Sequence, residues 1–206
     1  MISLPTLLPD AVRDETSQVS LARGEMLFRV GDPVEHIHFV LKGEVLAVRY
    51  LPDGTEAVMQ RGTAGEFFAQ SAMAVQRYSC NARAASACEV ARVPVGILTS
   101  ALGSNGSFAL AFACQLAMDL RRQCSRVERL RIKRARDRVR HYLVCEGQVS
   151  QPGTKLQDWA RELGLEPETL YRALAELEAA GEVVREARSV RLASLSPQTP
   201  PAACSG

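Results

Sequence analysis

Aromatic side chains are scarce, at 5% of 206 residues, with one tryptophan, and there are only three histidines. No cysteine precedes Cys80, and none of the six forms a C-x-x-C pair or a Cys/His cluster with zinc-ligand spacing. Without a secretion-type leader, six such cysteines do not read as a disulfide framework; they read as small, reduced hydrophobes. Long apolar runs are also missing. The longest uncharged apolar-rich stretch, 108–118, is interrupted by Gln115 and is too short to cross a bilayer. The opening MISLPTLLPD has neither a basic n-region nor a long apolar core, so a cytoplasmic protein with no membrane partner is expected. The 14 glycines and 10 prolines follow no period, which excludes collagen. No Ser/His/Asp arrangement, phosphate loop or metal-ligand cluster stands out, so no enzyme and no metal site is expected.

The chain has instead a globular balance, 47% hydrophobic and 23% charged, and room for one large domain or two modest ones. Its net charge of +2 hides an asymmetry. Residues 1–104 carry 9 Lys/Arg against 11 Asp/Glu, and residues 105–206 carry 16 against 12. Segment 121–140 alone holds 10 basic and 2 acidic residues. A basic half joined to a near-neutral half points to a polyanion partner for one of them. A solvated helix face is the plainer reading of the run.

Residues 18–95 read as β structure. Short apolar runs at 26–30, 37–41, 44–50, 55–60 and 88–93 are separated by turn signals at Gly31-Asp32-Pro33, Lys42-Gly43, Pro52-Asp53-Gly54 and Gly62. From about 105 the period changes. Ser104-Asn105 can cap a helix, and no proline or glycine interrupts 108–130. Leu110, Ala113, Ala117, Leu120, Cys124, Val127 and Arg131 recur at steps of three and four, the spacing of a coiled-coil seam. A second stripe, Phe112, Leu116, Leu120, Val127 and Leu130, is expected to pack on the chain's own β domain. Two apolar sides predict a parallel homodimer through this helix; a core helix of a monomer is the alternative. A second helix is expected over 133–145, then a turn over 149–154.

Segment 156–175, LQDWARELGLEPETLYRALA, carries the sharpest signal. Two helices crossing steeply need a small contact residue, Ala160, and a turn residue tolerant of positive φ, Gly164. Leu170 packs beneath the crossing with Leu156, Leu163 and Leu174, and Pro167 suits a first helical turn. Glu168, Tyr171 and Arg172 then point outward. The stretch 182–194, EVVREARSVRLAS, reads as a hairpin turning near Ala187, with Arg185, Arg188 and Arg191 suited to phosphates. The whole is a winged helix-turn-helix. The proline-rich 195–206 has little to bury and is expected to be disordered.

A glycine-punctuated β-roll, a long helix and a winged helix-turn-helix, in this order and size, resemble the Crp/Fnr family of bacterial transcription regulators. Residues 10–194 carry the resemblance, above all LARGEMLFRVGDPVEHIHFVLKGEV, GEFFAQSAMAVQRYSCNARAASACEVARVP and PETLYR. It implies an α+β fold with a jelly-roll-like N-terminal β-roll. It also implies an effector-sensing domain at 1–104, a dimerisation helix at 105–132 and a DNA-binding domain at 133–194. The function implied is a homodimeric regulator that binds a palindromic operator and contacts RNA polymerase, under control of an effector or redox state. The alternative is a small-molecule binding protein whose helix-turn-helix contacts protein.

The family's Glu-x-x-x-Arg reading pair falls on Glu168 and Arg172. Arginine can pair bidentately with guanine and glutamate can accept from cytosine N4, so a G·C pair in each half-site is expected. Tyr171 stands between them, Thr169 and Lys155 are expected phosphate contacts, and Arg185 and Arg188 lie on the wing. The effector pocket implied by the resemblance comprises Glu66, Arg77, Tyr78, Ser79, Gln123 and Cys124. In cyclic-nucleotide members the cyclic phosphate is held by an Arg-Ser pair. Here the triplet reads Tyr78-Ser79-Cys80, with Tyr78 where the arginine belongs and Arg77 beside it. A cyclic nucleotide is therefore not expected, unless Arg77 substitutes by a shift of register. An oxygen-labile iron–sulfur cluster is not expected either, since no cysteine precedes Cys80. Haem held by His36, His38 or Cys80, and thiol sensing at Cys124 beside Arg121, Arg122 and Arg126, are left open.

Overall fold

A computed structural model describes residues 8–147, 149–150, 156–186 and 189–193. The chain divides into two compact units, 1–117 and 118–206, with the border inside a long helix.

The first unit has helix α1 (Asp10–Asp14) and eight strands. These are β1 (Ser17–Leu21), β2 (Met26–Phe28), β3 (His36–Lys42), β4 (Glu44–Tyr50), β5 (Glu56–Thr63), β6 (Phe67–Phe68), β7 (Asn81–Ala84) and β8 (Cys88–Pro94). They form two antiparallel four-stranded sheets, ordered β1-β8-β3-β6 and β2-β7-β4-β5. This is the expected β-roll, with three strands more than the apolar runs announce. The runs at 26–30 and 55–60 end differently as strands β2 and β5, while β4 matches its run at both ends.

Gly62 is not a turn residue. It lies within β5, where a Cβ would stand 2.7 Å from the Phe68 ring, so the position needs the missing side chain to let β6 approach. Between β6 and β7 a 3-10 turn spans Gln70–Ala74, entered through Ala69 at φ 64°. Phe28, Phe39, Phe67 and Phe68 are buried in one core with Val40, Val90 and Leu98.

Two helices close the unit. The sequence reading lacks α2 (Val95–Ser104), which buries Leu98 and Ala101; Ser104 ends it rather than opening the next helix. The long helix α3 (Gly106–Leu130) starts at Asn105, whose Oδ1 accepts the backbone N–H of Phe108 at 3.0 Å. Phe108 and Phe112 are buried, and Phe112 meets Phe67 edge-on with centroids 5.0 Å apart. The expected second stripe is buried only at Phe112. Leu116, Leu120, Val127 and Leu130 are exposed, because the aromatic anchors lie in the first turns alone. Every member of the seam, Leu110 through Arg131, is exposed along α3 and just past its end.

The second unit contains α4 (Ala135–Glu146), β9 (Val149–Ser150), α5 (Leu156–Leu163), α6 (Pro167–Ala179), β10 (Val183–Glu186) and β11 (Ser189–Leu192). β10 and β11 form the expected hairpin. β9 pairs with β11, so 149–150 is a strand and not part of a turn; pairing to the hairpin supplies its backbone partners. Residues 151–154, the turn near Ala187 and the tail 195–206 lie outside the described residues. The core gathers Leu143, Leu163, Leu170, Leu174 and Leu177 around Trp159, which is 1% exposed. No single helix among the described residues is long and apolar enough to cross a membrane.

Candidate functional site

The crossing of α5 and α6 follows from three small or special residues. Ala160 is fully buried beneath it. Gly164 adopts φ 61°, and a Cβ there would stand 3.1 Å from Leu130, so both conformation and space favour glycine. Leu165 N–H then reaches back to the Ala160 carbonyl at 2.9 Å, ending α5. Pro167 occupies the first turn of α6, after Glu166. Leu170, Ala173, Leu174 and Leu177 form the buried stripe of α6.

The opposite face of α6 is what this packing presents. Glu168, Tyr171 and Arg172 are exposed, and Thr169 is half-buried. Among the described residues, the side chains of Glu168, Thr169 and Arg172 make no hydrogen bond or ion pair with the protein. An open groove of about 450 Å³ adjoins this face, lined by Arg134, Arg136, Thr169, Arg172 and Glu176. Arg134 is the residue before α4, so the first N–H groups of that helix open near it. Arg136 is partly neutralised by Glu182 at 2.8 Å. On the wing, Arg185 lies 3.6 Å from Glu178, and Arg191 pairs with Glu186 at 3.2 Å. Lys155 and Arg188 lie outside the described residues.

The basic run also resolves into distinct parts. Arg138 is an internal strut: Nη1 donates to the carbonyls of Leu163 and Gly164, and Nε and Nη2 to that of Ile132. Arg129 is 2% exposed, bonded to Glu146 at 3.1 Å, with its guanidinium 4.5 Å above the Tyr142 ring. Burial raises the Glu146 carboxyl above the usual range, against the opposing pull of Arg129.

In the first unit the residues expected around an effector have separate partners. The Glu66 carboxylate accepts from the N–H of Thr63 at 3.0 Å and from its hydroxyl at 2.9 Å, closing a turn. Arg77 is exposed and donates to the Gly31 carbonyl at 2.7 Å. Tyr78 turns inward instead. Its ring stacks on Phe28 at 3.7 Å, and its hydroxyl donates to the His36 carbonyl at 2.5 Å. The same oxygen stands 3.2 Å from His38 Nε2. Burial pushes the Tyr78 phenol up to about 12 and the His38 imidazole down to about 3, so both are neutral. Ser79 is exposed, and its carbonyl accepts from Arg49 at 3.0 Å. Gln123 and Cys124 are exposed on the half of α3 that belongs to the second unit.

Sequence reasoning missed three glutamines. Gln70 is 5% exposed and donates to the Phe67 carbonyl at 2.7 Å, while its own oxygen accepts from Gln60 at 2.9 Å. Gln115 completes the set from α3. Only the polar interruption of an apolar helix face at 115 signals any of this in the sequence.

Residues 18–105 match the cyclic nucleotide-binding domain family. FixK2 from Bradyrhizobium japonicum is similar over 86% of this chain and 92% of its own, at 24% identity and a TM-score of 0.73. A putative cAMP-binding regulatory protein from Silicibacter pomeroyi DSS-3 is 28% identical over 90% of this chain and 88% of its own, at a TM-score of 0.59. A transcriptional regulator of the CRP family from Thermus thermophilus is 20% identical over 85% of this chain and 92% of its own, at a TM-score of 0.64. The chain has the Crp/Fnr fold. Among curated proteins, none matches it significantly in sequence.

The Crp/Fnr fold raises the question of a cyclic nucleotide, and the side chains do not fit one. A cyclic phosphate in a part-buried pocket needs a paired cation. Arg77 faces outward onto Gly31, and Tyr78, at the position where the resemblance to cyclic-nucleotide members leads one to expect arginine, is a buried phenol bonded to His36. Glu66 is committed to Thr63 in an exposed turn.

Proposed function

We propose that this chain is a sequence-specific DNA-binding transcription regulator. One observation carries the reading: Glu168 and Arg172, one helical turn apart on the exposed face of α6, have no charged partner among the described residues, and Arg172 lines a groove with Arg134 and Arg136. Free donors and acceptors on that face are available to a polyanionic partner. In the major groove, Arg172 would read guanine and Glu168 cytosine, with Tyr171 between them. Thr169, Arg134 and Lys155 would hold phosphates, and the wing would add Arg185 and Arg188.

The functional division follows: 1–104 senses, 105–132 dimerises, 133–194 binds DNA and 195–206 is a tail. The exposed seam of α3 supports a parallel homodimer, which would span two half-sites roughly 34 Å apart in a palindrome and present the complex to RNA polymerase. Control acts through the roll by a signal other than a cyclic nucleotide.

The test is DNA selection with the purified, reduced protein at fixed salt, repeated with Arg172→Ala. The reading predicts an enriched palindrome with a G·C pair per half-site, abolished by the substitution. No enrichment in reduced or mildly oxidised protein would sink it and favour a helix-turn-helix used for protein contacts.

A further inference from the structure

Three groups of complementary chemistry meet where α3 ends beside α4. Cys145 lies one turn beyond His141 on α4, and its Sγ is 3.7 Å from His141 Nδ1 and 3.8 Å from Nε2. The spacing of four puts both on one side of the helix. A different helix supplies the third group: Glu128 Oε2 is 3.3 Å from His141 Nε2. The thiol is exposed and the imidazole is one-fifth exposed, so a small reactant has access while the ring is held. The sulfur lies nearly equidistant from the two ring nitrogens; in the tautomer whose Nε2–H donates to Glu128, Nδ1 is the acceptor left within reach of it. This is the order of a nucleophile, its base and the group that orients the base.

Cys80, Cys88 and Cys124 stand in different surroundings. Cys88 is buried, its thiol pushed up to about 11, and Cys80 is raised by burial. Cys124 is exposed, with no imidazole beside it.

We propose that Cys145 is a covalent modification site, a nucleophilic thiol deprotonated by His141 and open to peroxides and soft carbon electrophiles. With hydrogen peroxide, the thiol proton passes to Nδ1 and the thiolate attacks one peroxide oxygen. An S–O bond forms, the O–O bond breaks, and the departing hydroxide takes the proton from the imidazolium to leave as water. The sulfur is oxidised by two electrons to a sulfenic acid, and the peroxide is reduced. Glu128 is a positioning residue that acts through His141. The new oxygen is added beside the contact that ties α4 to the last turns of α3.

The test is pulsed alkylation of the full-length reduced protein with iodoacetamide, read for each cysteine by peptide mass spectrometry. An ordinary exposed thiol reacts no faster in the folded protein than in the same protein unfolded in urea at the same pH. Native Cys145 is expected to react at least about threefold faster than unfolded Cys145. His141→Ala should remove the excess and Glu128→Gln should reduce it, in variants whose folding circular dichroism verifies. Peroxide followed by dimedone should label Cys145 before Cys124. A native rate at or below the unfolded rate in the unsubstituted protein overturns the proposal, whatever the variants do.

Discussion

One side chain, the amide of Gln115 on α3, holds both backbone polar groups of Phe67 in β6. Its oxygen accepts the Phe67 N–H at 3.2 Å, and its nitrogen donates to the Phe67 carbonyl at 3.0 Å. β6 is two residues long and pairs with β3 alone, so the amide acts as its missing second neighbour. Through Gln70 and Gln60 the same bonds continue into the turn entered at Ala69. Gln115→Ala leaves the Phe67 N–H without this partner and is expected to cost about 1–3 kcal/mol. Urea unfolding of the variant measures it; a change below a few tenths of a kcal/mol would refute the role.

His38 makes stability fall with acidity. Its imidazole, ordinarily near 6.5, is held near 3 in the folded chain, first by desolvation and then by His36 and Arg92. Between those values the unfolded chain binds a proton that the folded chain does not. Stability is therefore full above 6.5 and falls as the pH drops toward 3. The contribution lost between pH 7 and pH 5 is about 2 kcal/mol. Urea midpoints at the two pH values should differ less in His38→Gln than in the unsubstituted chain.

Arg129 is a buried charge whose removal strands a carboxylate. Arg129→Ala leaves Glu146 without its cation and Tyr142 without the guanidinium over its ring. A loss of about 3–5 kcal/mol is expected for the second unit. The single tryptophan, Trp159, meets Tyr142 with ring centroids 5.6 Å apart, so its fluorescence reports the melting of that unit.

The α3 seam offers a direct test of assembly. Leu120 is 65% exposed, so Leu120→Glu is expected to leave the folded chain intact and shift the proposed dimer to monomer. Sedimentation velocity decides it; an unchanged species would place the interface elsewhere.

Arg134 and Arg172 should differ in kind as DNA contacts. Arg134→Ala is expected to weaken binding to all duplexes alike and lower the salt slope by about 1. Arg172→Ala should cost about 1–3 kcal/mol on the operator and relax the choice at one base pair. Fluorescence anisotropy over a salt series separates the two effects.

The helix-turn-helix was legible because its constraints are local: a small residue at 160, a glycine at 164 and a proline at 167 each answer one steric demand. Strand β4 was legible for a similar reason, being a compact apolar run closed by turn residues at both ends. β1, β6 and β7 were not, because edge pairing and partners distant in sequence define them. α2 lay hidden because Val95, Ile97 and Thr99, three β-branched residues in its first half, carry no helix signal. At the roll, the sequence announced the loss of the expected arginine at Tyr78. It could not announce that the ring turns inward, because Phe28 and His38, which receive it, are 40 or more residues away. Glu66 was expected in the effector pocket, yet Thr63 three residues earlier holds its carboxylate.

Charge counting and architecture part company at Arg138. Three backbone carbonyls, from Ile132, Leu163 and Gly164, converge on its guanidinium, joining the end of one helix to the end of another. Lysine would preserve the formal charge there but could not fan its donors across that span. Wholesale replacement of arginine by lysine along 121–140 would thus yield a chain indistinguishable by electrophoretic mobility and yet unable to keep the helices of its second unit in register.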